Sequence, residues 1–117
     1  MDTEIKKSIL NSLLALATLF VTLVFWQSTG VIIIALFFIR LLMMGVERDR
    51  SALVIYIFTF LFGALSEALV VSVGSAWRYA VPQVIGIPWW LPFVWGNAGL
   101  FINRLGLLTR YILSRSK

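Results

Sequence analysis

Residues 52–73 read ALVIYIFTFLFGALSEALVVSV, and a single charged side chain, Glu67, interrupts this apolar run. At the helical rise of ~1.5 Å per residue the run is long enough to cross a hydrocarbon core of ~30 Å. It therefore predicts a transmembrane helix and directs the reading of the segments on either side.

Toward the N-terminus the run is preceded by Glu47-Arg48-Asp49-Arg50, the one dense charge cluster in the chain interior, which reads as a solvated turn. Before it lies a second apolar run, Val31 to Val46, with β-branched Val31-Ile32-Ile33-Ile34 and Arg40 near its far end. An isolated strand would leave backbone groups unpaired in hydrocarbon, so the expectation is again a helix. Gln27 to Gly30 is a short uncharged break, suited to a helical hairpin, and Ile9 to Trp26 is the first apolar run. Lys6 and Lys7 ahead of that run also fit a signal peptide, but Trp26-Gln27-Ser28-Thr29-Gly30 is a poor small-residue cleavage site.

Toward the C-terminus the composition changes at Gly74 to Pro88, where aromatic, polar and helix-breaking residues mix in an interfacial or re-entrant loop. Trp89 to about Leu108 is the fourth run, with Pro92 where a first helical turn tolerates it. The fold expected is all-α: one polytopic membrane bundle of four transmembrane helices, at about 9–26, 31–46, 52–73 and 89–108, with an outer loop at 74–88. No internal repeat or linker points to a second domain.

Composition agrees. Of 117 residues 61% are hydrophobic, against the roughly 45–50% usual in soluble domains. A soluble fold this short buries only about two-thirds of its surface and has nowhere to hide so much apolar area. Charge supplies the orientation. Lys6, Lys7, Arg40, Arg48, Arg50, Arg104, Arg110, Arg115 and Lys117 fall on one side of a four-span arrangement and Arg78 alone on the other. The positive-inside rule then puts both termini in the cytoplasm, and the expected location is a prokaryotic cytoplasmic (inner) membrane. Clustered at segment ends, these charges suit lipid headgroups rather than nucleic acid.

Cysteine and histidine are both absent, so disulfides, Cys/His metal sites, His-ligated haem and Ser/His/Asp triads are excluded. No cofactor is assigned; a bound lipid, quinone or carotenoid is the kind of ligand the composition admits. No Walker loop, dinucleotide fingerprint or acidic metal cluster is present.

Glu67 is the first candidate site residue, because a charged side chain inside a span costs roughly 2.5–3.5 kcal/mol and needs a partner or a proton. Depth counting places it ~9 Å from the outer end of its span, level with Asn97 on span four. The two are expected to meet, Arg78 to fold back toward Glu67, and Ser66, Gln83 and Trp95 to border the same pocket. Two readings stand: a binding or proton-handling site, or a satisfied interhelical hydrogen bond. Gly63 and Gly74 flank Glu67 at near-helical spacing, and Gly96, Gly99, Asn103 and Gly106 form a similar row on span four. Such rows read as close helix packing, or as the wall of a cavity for a flat apolar ligand. Trp26, Trp77, Tyr79, Trp89 and Trp90 read as an outer aromatic belt or as a stacking surface. Arg40 and Arg104 are expected to snorkel to headgroups.

Gly63-x-x-x-Glu67, Gly74-Ser75-Ala76-Trp77-Arg78-Tyr79 and Gly86-Ile87-Pro88-Trp89-Trp90-Leu91-Pro92-x-x-Trp95-Gly96 together resemble a pattern of small prokaryotic integral-membrane families, over about a third of the chain. More distantly, the pattern is similar to integral-membrane carotenoid-biosynthesis proteins, the lycopene cyclases and carotenoid hydratases. That resemblance implies a role for Glu67 in protonating a polyene. The sequence departs from the cyclase pattern after the proline, where Trp89-Trp90-Leu91-Pro92 stands in place of paired acids.

Three functions follow as expectations. The first is a non-catalytic membrane protein, a lipid-binding component or a subunit packed against other membrane subunits or a second copy. The second is an enzyme of isoprenoid or carotenoid metabolism with Glu67 as general acid and Trp77, Tyr79 and Trp95 lining the site. The third is a homodimeric proton-coupled transporter in which Glu67 cycles its proton.

Overall fold

In a computed structural model, which describes residues 2–116, the chain forms four helices: α1 Thr3–Phe25, α2 Thr29–Val46, α3 Arg50–Ser72 and α4 Leu91–Arg115. No strand forms among the described residues beyond a lone bridge between Val84 and Ile87. Three of the helices, α1, α2 and α3, are long and apolar enough to cross a membrane. α4 is long enough too, at 25 residues, but Asn97, Asn103, Arg104 and Arg110 make it less apolar.

The helix starts follow from capping chemistry. Asp2 accepts from the Glu4 amide at 3.1 Å, so α1 begins six residues before its apolar run. Asp49 does the same for α3, accepting from the Ser51 amide at 3.2 Å and the Ser51 hydroxyl at 2.8 Å. At its C-terminal end α4 outlasts the expected limit near Leu108 because its last turns are tied to the chain start: Tyr111 donates to Asp2, and Arg115 reaches the same carboxylate at 3.3 Å.

α4 is the central element and packs against all three other helices, while α1 and α2 pack as a hairpin. The contact of α3 with α4 centres on Thr59–Gly63, a turn of π-helix inside α3. Gly96 lies directly on the Tyr56 ring, Gly99 on the Thr59 side chain and Gly63 on the Trp95 indole, so a Cβ at any of the three would overlap its neighbour. The inserted π-helical residue and the missing side chains serve the same close approach. Gly74, in the turn after α3, and Gly106, next to Arg110, take no part in it.

Polarity is distributed inside out. The buried residues of α1 are Ser8, Asn11 and Thr18, while Leu10, Leu13, Leu16, Leu19, Phe20 and Leu23 are exposed. Across the three long apolar helices only 17–22% of the apolar window is buried. The molecule measures 47 × 28 × 22 Å, and the helix ends near both termini share one pole, opposite the loop 73–90.

Candidate functional site

Two polar sites lie at opposite poles of the bundle. At the loop pole, Tyr79 donates its hydroxyl to Glu67 Oε2 at 2.5 Å. The loop is shaped for this by left-handed backbone at Ser75, Ile85 and Gly86, of which only Gly86 adopts it without steric cost. Tyr79 stands edge-on to Trp90, centroids 6.1 Å apart, and the Trp90 indole donates to the Trp26 carbonyl at 3.1 Å. Gln83 completes the scaffold, donating to Thr29 at 3.0 Å and accepting from the Trp89 amide at 2.9 Å. Burial first, then the neighbouring Glu67 carboxylate, pushes the Tyr79 phenol above its ordinary range. Hollows of about 340 and 310 Å³ flank Tyr79, and Arg78 borders both.

Several expected neighbours of Glu67 are elsewhere. Asn97 does not meet it, despite the common depth. Gly96 and Gly99 face α3, whereas Asn97 points the other way, donating to Thr18 Oγ1 and to the Leu36 carbonyl, each at 3.2 Å. Successive residues on a helix are rotated by ~100°, so equal depth does not imply a shared face. Arg78 is exposed and forms no ion pair with Glu67 among the described residues; the uncharged Tyr79 holds that position. Ser66 is exposed and donates to the Phe62 carbonyl at 2.7 Å, Trp77 is exposed, and Trp95 is spent on packing over Gly63. Asn103 is half-buried.

The second site, at the pole of the termini, corrects the reading of Arg104 as a snorkelling side chain. Arg104 is 1% exposed and donates to Glu47 Oε2 at 2.8 Å and to Glu4 Oε2, joining α4 to α1 and to the end of α2. Two carboxylates are within reach because Glu4 sits in the first turn of α1 and Glu47 directly follows α2. Arg40 lies over the rings of Tyr56 and Phe37, at 4.9 and 5.2 Å, so it too is held by the protein. Lys117 lies outside the described residues.

Between the poles, a cleft of about 500 Å³ separates α1 from α4, bordered by Leu16, Leu19 and Phe101 and by Ser12, Thr18, Thr22 and Asn97. Sequence reasoning passed over this seam. Its signal was present: Glu4, Ser8, Asn11, Thr18 and Thr22 recur at steps that keep them on one face of α1. Among the described residues no group of three or more acids is placed to hold a metal ion.

Comparison with known proteins returns no match: no family model fits the chain, and neither the curated proteins nor the solved structures include one significantly similar to it.

Proposed function

We propose that the chain is a multi-pass membrane protein of four spans, with both termini on the cytoplasmic side of a prokaryotic inner membrane. In this reading it works without chemistry of its own, as a lipid-binding component that packs against other membrane subunits or a second copy.

The observation that carries the reading is the inside-out polarity of α1, with Ser8, Asn11 and Thr18 buried and its leucines exposed. In water such an arrangement would forgo apolar burial worth roughly 25 cal/mol per Å², whereas in lipid the exposed leucines are in their proper solvent. α4 lacks the apolarity of the other three, yet as the central helix it keeps Asn97 and Arg104 inside the bundle. The long dimension of 47 Å is close to the ~40–45 Å of a bilayer with its headgroups. At the outer pole Glu67 acts as acceptor for Tyr79, which favours a site that pins the loop over one that delivers a proton.

Native mass spectrometry of the chain extracted in mild detergent tests the function: retained lipid or a retained protein partner is expected, and a bare monomer would overturn it. Topology has its own test, since the chain contains no cysteine. Ser75→Cys is expected to react with a membrane-impermeant thiol reagent in intact cells, and Ser116→Cys only after permeabilisation.

A further inference from the structure

At the pole of the termini the acids are already committed. Glu4 and Glu47 pair with Arg104, and Asp2 pairs with Arg115. The two lysines of α1 are not: Lys6 is exposed, Lys7 is half-buried, and neither ammonium forms an ion pair among the described residues. Both instead border a hollow of about 430 Å³ between α1 and α2, and no acid borders it with them.

The hollow has a cationic rim and an apolar floor. Lys6, Lys7 and Leu10 are spaced to share one face of α1, and Leu10 lies about one turn deeper than the lysines. Across from them on α2 are Leu41 and Leu42, about one turn inside the helix end at Val46. Gly45 keeps the rim open, since a Cβ there would have nothing within 4 Å. Two cations above three leucines complement an anionic headgroup above an acyl chain. A free phosphate ion would leave the leucines unused, and an uncharged lipid would leave the lysines unneutralised.

We propose that this hollow binds an anionic phospholipid of the cytoplasmic leaflet, its phosphodiester on Lys6 and Lys7 and one acyl chain along Leu10, Leu41 and Leu42. The proposal rests on the lipid-binding reading above and names the lipid class and its seat. Phosphatidylglycerol meets the requirement. Phosphatidylcholine has the same phosphodiester, but its quaternary ammonium sets a third cation beside the two lysines.

The experiment uses the full chain in detergent, titrated with dioleoyl phosphatidylglycerol and dioleoyl phosphatidylcholine, with bound lipid counted by native mass spectrometry. Phosphatidylglycerol is expected to bind more tightly by about fivefold for each lysine, the ratio that ~1 kcal/mol per basic residue supplies. Equal binding of the two lipids would overturn the proposal yet leave lipid binding standing. Binding of neither would overturn both. Lys6→Gln with Lys7→Gln is expected to bring the ratio close to one. Arg48→Gln with Arg50→Gln removes the same charge outside the hollow and is expected to leave the ratio unchanged. An equal loss from the arginine pair would overturn the proposal, assigning the preference to the net charge of +5. Gly45→Leu fills the rim and spares both lysines, and is expected to reduce phosphatidylglycerol binding to the level of phosphatidylcholine; unchanged binding would overturn the proposal. Excess glycerol 3-phosphate is expected not to displace the lipid, and displacement would assign the lysines to a free phosphate instead. If the lysine pair of substitutions does not fold, Gly45→Leu and the lipid ratio on the unaltered chain decide.

Discussion

The hydroxyl of Tyr79 and the carboxylate of Glu67 are 2.5 Å apart although twelve residues separate them, and this bond closes the 73–90 loop onto the last turns of α3. A hydrogen bond to a carboxylate is worth about 1.5–3 kcal/mol. Tyr79→Phe is therefore expected to lower stability in detergent by an amount in that range and to quicken proteolysis of the loop. Glu67→Gln keeps an acceptor oxygen and is expected to cost less. In a double-mutant cycle Glu67→Leu and Tyr79→Phe should be strongly non-additive; additive losses would show that the bond contributes nothing.

The same pair makes a prediction about alkaline pH. The folded state raises the Tyr79 phenol above its ordinary value of 10.0, through burial first and Glu67 second. A raised value means that the stabilisation is complete below pH 10 and is lost as pH climbs through the folded value. Ultraviolet titration is expected to show tyrosine absorbance that changes later than free phenol, and Tyr79→Phe should lower the amplitude of that late change by one residue.

At the opposite pole, Arg104→Met would leave Glu47 and Glu4 facing one another without a cation. Breaking a buried ion pair from one side costs about 3–5 kcal/mol, so a large loss of thermal stability is expected. Adding Glu4→Gln and Glu47→Gln to Arg104→Met should restore most of it. A triple variant no better than the single one would show that the side chains pack rather than pair.

The glycines separate by what they touch. Gly99→Val drives a side chain into Thr59 and Gly96→Val into Tyr56, and overpacking of this kind costs about 1–3 kcal/mol. Gly45 has open space around it within α2, so Gly45→Ala is expected to stabilise by about 0.5–1 kcal/mol through helix propensity. Unfolding in mixed micelles would rank the three.

Asn11 is 1% exposed, and neither polar atom of its side chain has a hydrogen-bond partner among the described residues. Asn11→Leu, close in size, is expected to stabilise the fold by about 1–3 kcal/mol, the desolvation cost of an unmet polar group. Loss of stability in the same unfolding assay would instead reveal a polar contact at this position.

The sequence by itself determined the order of four helices and the three long apolar runs, because both depend on local composition. It also placed Glu67 near the C-terminal end of its helix, five residues before Ser72, since that follows from counting along the chain. The partner of Glu67 was a different matter. Asn97 lies at a comparable depth but on another face of α4, and the face is set by rotation about the helix axis together with the packing of Gly96 and Gly99 on α3. Tyr79 reaches Glu67 only through the folded loop, and Arg104 finds Glu4 and Glu47 only when three helix ends converge. Those pairings were decided by tertiary structure: each depends on which helix faces meet, and a residue's own neighbours in sequence do not specify that.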